Sequence, residues 1–409
     1  MREYFRKDLA VVTAILALVV IADGISNPIL PLYLTANGIS SQILGLMFAI
    51  ASIGMAITEA TWGWLADRIG PKIPLITTTF ICGLLVFSFT LTTHIPDLFI
   101  IFLFWGISRS AVFGPTRGYF GAQTPLLKKA TFMAIISGII LAAGCFGNLP
   151  SGIIADAWGF QFNFYIAFGI CLVAGIVLLH GLKVPLWTRS KYSDVSPQIA
   201  QDFRPQGRAS NHRAVAIQCL VAALATMGIG IARTFLPLLA TQKVGLNASR
   251  VGIIFFIAGL VTVILAIPLG RLADTVGKKR MMIIGLLISS GSLAGVALAG
   301  SFFWLVILYS GFQMGMLMFN SSSLALLSEK TLPQRQSTIM GIYGGAGEDT
   351  GLIAGQALGG FAWSAWGSGA FLIGTIACGL GAIVCLGFVS AKPLNNLHQE
   401  ASNTSQISI

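Results

Sequence analysis

The sequence predicts an all-α membrane protein with twelve transmembrane helices in two pseudo-symmetric six-helix halves. Three observations predict it. Hydrophobic residues make up 55% of the 409 residues and charged residues 10%, where a soluble domain carries about 25% charged. Apolar runs recur at the length of a membrane helix, about 20 residues. The second half of the chain also repeats the first at one constant offset. This composition excludes a cytoplasmic enzyme, a disordered scaffold and a secreted disulfide domain.

The runs fall at 9–36, 41–65, 73–93, 98–120, 131–154, 160–182, 214–240, 249–270, 281–299, 302–328, 337–362 and 367–391. Turn-forming residues separate them: Asn37-Gly38, Pro71, Pro96-Asp97, Gly159, Asn247, Gly300 and Pro333. Met1 to Asp8 is short and polar, and the run after it lacks an A-x-A cleavage site, so it reads as a retained first helix. The six cysteines all lie inside apolar runs with no CxxC or Cys/His spacing, which argues against a metal or disulfide role.

An even number of spans puts both termini on one side. The loops and termini of that side hold 20 of the 25 Lys and Arg; the opposite loops hold Lys243 and Arg250, and Arg109, Arg117 and Arg233 lie within helical runs. The positive-inside rule then places both termini in the cytoplasm of a cell whose plasma (inner) membrane the chain spans. The net charge of +11 orients the protein in the bilayer rather than binding nucleic acid. Residues 183–213, basic and proline-containing, read as a cytoplasmic linker. The expected organisation is a first bundle at 1–182, the linker at 183–213, a second bundle at 214–391 and a cytoplasmic tail at 392–409.

At an offset of 207, Gly45 matches Gly252, Gly63 matches Gly270, Leu65-Ala66-Asp67 matches Leu272-Ala273-Asp274, Gly70 matches Gly277, Lys72 matches Lys279, and Phe164 matches Phe371. Two parallel six-helix repeats are a transporter architecture, with the substrate site between them near mid-membrane.

At Gly63-Trp64-Leu65-Ala66-Asp67-Arg68-Ile69-Gly70-Pro71-Lys72 the sequence resembles the major facilitator superfamily, whose signature loop reads roughly G-x-L-A-D-R-x-G-x-K. Gly270-Arg271-Leu272-Ala273-Asp274-Thr275-Val276-Gly277-Lys278-Lys279 repeats it in the second half. The resemblance covers residues 9–391. It implies alternating access. It also implies a cytoplasmic gate in which Asp67 meets the start of the eleventh helix near Ser337 to Gly341, with Gly63, Arg68, Gly70, Gly270, Asp274 and Gly277 shaping the two loops. Glycine supplies the backbone conformations that so short a reversal needs. The G-P-x-x-G-G pattern of many drug antiporters is only partly matched by Gly147-Asn148-Leu149-Pro150-Ser151-Gly152.

A charge at mid-bilayer costs at least about 2.5–3.5 kcal/mol, so each one needs a reason. Asp23 in the first helix and Arg109 in the fourth both fall near the membrane centre, roughly 22 Å and 18 Å along their helices. The resemblance implies that the first and fourth helices neighbour the central cavity, so the two residues can pair or share a proton, or form a fixed structural ion pair. Asn27 lies one turn beyond Asp23 and corresponds by repeat to Arg233. Arg233 can bind an anion, pair with the acids of the eleventh helix, or snorkel to the surface. Glu348 and Asp349 are adjacent on that helix and point about 100° apart, so at most one faces the cavity. Gly347, Gly351, Gly355 and Gly359 form a small-residue ridge, expected to face the second helix across the two halves.

The resulting expectation is a monomeric secondary transporter that exports a small amphipathic or apolar compound against protons. The alternatives are proton-coupled uptake of a polar or anionic metabolite, with Arg109 and Arg233 as contacts, and a lipid flippase or uniporter without ion coupling. No G-x-x-x-x-G-K-[ST] loop is present, so direct ATP use is not expected. No nucleophile–base set points to an enzyme, and no cofactor is expected.

Overall fold

The computed structural model describes residues 2–69, 72–123, 129–181, 212–329 and 336–389, and among these no strand occurs. Twenty apolar residues in hydrocarbon must satisfy their own backbone groups, and a helix does so within one segment. The helices are α1 (Arg2–Ser26), α2 (Leu30–Ala36), α3 (Ser41–Ile69), α4 (Lys72–Ser88), α5 (Ile95–Gln123), α6 (Lys129–Trp158), α7 (Phe160–Gly181), α8 (His212–Leu238), α9 (Ala248–Val276), α10 (Lys278–Leu298), α11 (Phe302–Glu329), α12 (Gln336–Ile342), α13 (Thr350–Trp366) and α14 (Ala370–Phe388). Among the described residues, nine stretches are long and apolar enough to cross a membrane; one of them, Ile339–Phe388, holds both α13 and α14. Most of the expected linker, the tail at 392–409 and Gly70 lie outside the described residues.

Several expected single rods are interrupted. The run at 9–36 breaks after Ser26, where Pro28 has no N–H to donate and its ring crowds the preceding turn. The seventh rod ends in a π-helical turn at Leu239–Lys243, and the eleventh carries another at Tyr343–Asp349 between α12 and α13. The tight reversals use glycine as expected. Gly277 stands alone between α9 and α10 at φ +98°, and Gly159 joins α6 to α7 at φ +91°.

The repeat is visible in the packing. In the first group α3 packs on α5, α4 on α7 and α1 on α6; in the second, α9 packs on α11, α10 on α14 and α8 on α13. The signature lysines are fixed in the same way. Lys72 Nζ donates to the Leu179 carbonyl at 3.3 Å, and Lys279 Nζ donates to the Leu386 carbonyl at 2.8 Å. Leu179 and Leu386 are themselves 207 apart. Each lysine therefore satisfies a carbonyl at the open, negative end of the last helix of its group.

Contacts between the groups gather at the end of the rods far from the chain termini, the distal end. There α3 meets α13, and α6 meets α9. Gly45 lies so close to α13 that a Cβ would sit 2.4 Å from the Gln356 carbonyl, and Gly152 so close to α9 that a Cβ would sit 1.9 Å from the Ala248 carbonyl. Ser52 Oγ donates to Gln356 Oε1 at 2.8 Å, and Gln42 Nε2 to Ser364 Oγ at 2.8 Å. Deeper in, Phe146 and Phe256 touch at a centroid distance of 6.1 Å. Toward the other end α3 has only light contact with the π turn that precedes α13.

The glycine ridge faces a different neighbour from the one expected. Gly347, Gly351, Gly355 and Gly359 pack on Cys219, Ala223, Met227 and Phe235 of α8, inside the same group. Contact with α3 is made instead by Gly360, beside Ser41 and Gly45. Four-residue spacing reveals a smooth face but not which helix lies against it.

A Cβ at Gly355 would stand 2.2 Å from the Met227 carbonyl, whereas Gly291 has open space. Gly355→Ala is therefore expected to cost about 1–3 kcal/mol and to lower the melting temperature in detergent. Gly291→Ala should leave that temperature unchanged.

Candidate functional site

The site begins with a charge that the fold carries into the membrane. Arg109 on α5 and Asp23 on α1 come together: Arg109 Nη2 donates to Asp23 Oδ2 at 2.8 Å. Asn27 Nδ2 donates to the same oxygen at 2.7 Å, because the helical turn between them leaves residues four apart on one face. Among the described residues, no hydrogen bond reaches Asp23 Oδ1. The two side chains are 21% and 23% exposed, so the pair is neither sealed nor solvated. Charge-assisted bonds in such a setting are stronger than neutral ones.

The guanidinium is also supported from the side. Arg109 Cζ lies 4.7 Å from the centre of the Trp105 ring, an attraction between a cation and the negative face of an aromatic ring. Trp105 is edge-on to Phe89 and Phe102, both fully buried. Tyr33 closes this nest, with its hydroxyl on the Phe89 carbonyl and its ring against Phe164. The rotamer of Arg109 is thus held by packing, and Asp23 is met by a preset donor.

A cavity of about 20 Å³ opens beside the pair, lined by Val19, Asp23, Ser26, Cys82, Trp105 and Arg109 among others. That volume holds about one water, whereas drug-sized ligands occupy about 300–1,000 Å³. The cavity is of water size and too small for an organic substrate.

The other sequence-predicted residues are separate from this pair. Arg233 on α8 is exposed and has no carboxylate partner among the described residues. Glu348 and Asp349 end the π turn, a correction to the regular helix on which their 100° separation was reckoned. Asp349 is buried and Glu348 half-buried. Thr226 Oγ1 of α8 donates to the Glu348 carbonyl at 2.8 Å and so ties the turn to α8. A π turn widens the helix by one residue and is frequent at functional sites. At its first residue, Tyr343 donates to Ser323 Oγ at 2.8 Å, and Gln218 donates to the Ser323 carbonyl at 2.7 Å.

Of the residues expected to form the gate, Gly63 lies within α3 and Gly270 within α9, while Gly277 turns the chain. Arg68 stacks on Trp64 at 4.2 Å. The side chains of Asp67, Asp274 and residues 337–338 fall outside what the structure describes. Phe312, Met316, Met318 and Phe319 of α11 are buried core, whereas Met314 is half-buried and Phe303 exposed.

Sequence reasoning missed Asp156. Its carboxylate, at the distal end of α6, accepts from the backbone N–H groups of Ala248 at 3.1 Å and Ser249 at 2.8 Å and from the Ser249 hydroxyl. The only sequence signal was an acid near a helix end, indistinguishable from an ordinary interfacial charge.

A family model described as the Major Facilitator Superfamily matches residues 12–216 and 218–408. Multidrug resistance protein 2 of Bacillus subtilis is 26% identical over 274 residues, 66% of this chain and 67% of its own length. Multidrug resistance protein MdtG of Citrobacter koseri is 25% identical over 250 residues, so that the chain spans 60% of that relative. Among solved structures, the nucleoside transporter NupG superposes with a TM-score of 0.74 at 15% identity, over 93% of this chain and 98% of that one. A bacterial homolog of the human lysosomal transporter Spinster, in an inward-facing and occupied conformation, gives 0.72 at 13%, over 92% and 94%. At such identities the structural likeness concerns the fold.

The ion pair can be tested without any substrate. Arg109→Gln leaves the Asp23 carboxylate half-buried without its cation, and Asp23→Asn in the same chain removes the orphaned charge. In a double-mutant cycle by thermal unfolding, the double variant should be more stable than the sum of the single losses by about 0.5–3 kcal/mol.

Proposed function

Since the chain belongs to the Major Facilitator Superfamily, as an integral multi-pass transporter of small molecules, we propose that it exports small amphipathic or apolar compounds in exchange for protons. The observation that carries this reading is the Asp23–Arg109 pair beside a cavity of water size. In the ionised state Asp23 holds Arg109 and Asn27 through Oδ2. A proton arriving on Oδ1 neutralises the carboxylate without displacing either donor, and it weakens the hold on Arg109. The coupling follows from that weakening: α1 and α5 are held more tightly while Asp23 is charged. Multidrug resistance proteins among the relatives support export.

In this reading residues 1–182 and 214–391 are two bodies that rock about the substrate site, joined by the 183–213 linker. Both termini face the cytoplasm of an inner membrane, as the distribution of Lys and Arg favours. The distal seam is then the outer gate, closed here, and the state is inward-facing. Glu348 and Asp349, on their π turn, are the second proton route. Asp67 at the cytoplasmic gate takes over when the outer gate opens. The protein works as a monomer and binds no nucleic acid.

One observation favours a second reading. The exposed Arg233, without a carboxylate partner among the described residues, suits an anionic group, and with it proton-coupled uptake of a polar or anionic metabolite.

The test is proton flux in proteoliposomes of known orientation, with an internal pH dye and a mixed panel of cationic, neutral and anionic compounds. Export against protons gives opposed fluxes, and Asp23→Asn should abolish the substrate-dependent proton signal while substrate binding persists. Fluxes in the same direction, lost in Arg233→Gln, would establish uptake. Substrate movement with no proton signal in the wild type would overturn the coupling.

In the same assay, Glu348→Gln and Asp349→Asn are expected to differ. The half-buried Glu348 should change proton stoichiometry, and the buried Asp349 should mainly lower stability. Equal, full coupling in both variants would remove the eleventh rod from the proton route.

A further inference from the structure

The two seams that close the distal end are equivalent by the repeat but chemically unequal. Ser249 lies 207 residues after Gln42, and Ser364 lies 208 after Asp156. On the α3–α13 seam the joint is neutral, a hydrogen bond of 2.8 Å from Gln42 to Ser364. On the α6–α9 seam the corresponding joint is charge-assisted. There the Asp156 carboxylate takes the N–H groups of Ala248 and Ser249 and the Ser249 hydroxyl.

Those N–H groups belong to the first turn of α9 and have no acceptor within their own helix. They also form its positive dipole end, where an anion is favoured. Asn247 caps the same helix from within the chain, but only at the Arg250 N–H, at 3.3 Å. The rest of the cap comes from the other half of the molecule. It can form only because Gly152 lets α6 come against the α9 backbone at Ala248. When the halves part at this end, the cap is lost and water must replace a carboxylate.

We propose that Asp156 is the latch of the outer gate: a positioning residue whose bond to the α9 N-terminus exists only in the inward-facing state and sets how often the outer gate opens. The neutral Gln42–Ser364 joint closes the opposite seam with less force. This inference rests on the alternating-access reading above.

The experiment places spin labels at Gln161→Cys and Gln242→Cys, on exposed positions at the distal ends of the two halves. The full chain is measured in lipid nanodiscs by double electron–electron resonance. The six native cysteines are buried, so the introduced thiols react first. Asp156→Asn should raise the ratio of long to short distances by about tenfold. Ser249→Ala, which removes one donor and leaves the carboxylate, should shift it in the same direction by less. Asp156→Glu should recover part of the short population, and Gln42→Ala should shift the ratio less than Asp156→Asn. An unchanged distribution in both Asp156→Asn and Ser249→Ala would overturn the latch. An equal shift from Gln42→Ala would overturn the inequality of the seams. If the wild type keeps one distance under every substrate and pH condition, alternating access itself fails, which is a different result from a wild type that switches and an Asp156 variant that does not shift.

Discussion

Backbone N–H and C=O groups in hydrocarbon have no water to bond, and the architecture of this protein follows from that constraint. It makes every described span a helix. It also shifts helix association from hydrophobic burial to close packing, because lipid tails are as apolar as leucine. Glycine is then the residue that brings rods together, and the seams at Gly45 and Gly152 and the α8–α13 face are built from it. Where a helix end or a break leaves backbone groups exposed, a side chain answers: Lys72 and Lys279 at carbonyl ends, Asp156 at an N–H end, Thr226 at the π turn.

The same constraint accounts for how few charges the membrane interior carries and how each is held. Asp23 and Arg109 are retained as a pair with further support from Asn27 and the Trp105 ring. The pair is partly open to a small cavity. A sealed pair of the same geometry would be a fixed strut.

Much of the architecture was legible in the chain. Apolar runs, turn residues and the 207-residue offset carried the helices and the two groups. The offset proved finer than expected, since it relates Lys72 on Leu179 to Lys279 on Leu386 and Gly45 to Gly252 at opposite seams. The meeting of Asp23 and Arg109 was also readable, because depth along two neighbouring helices puts them at one level. The two π turns were not. No local pattern in Leu239–Lys243 or Tyr343–Asp349 announces them.

Residue types and spacing by themselves determined what this protein is made of: apolar helices, a repeated half, glycine faces and a few costly charges. They did so because hydrocarbon imposes the same cost wherever a residue lies in it. Only the tertiary structure decided partners. It turned the Gly347–Gly359 ridge toward α8 rather than α3, left Arg233 without a carboxylate among the described residues, and made Asp156 the cap of a helix in the other half. A face or a charge states what it can bind, but which neighbour arrives depends on how all the rods share the same space.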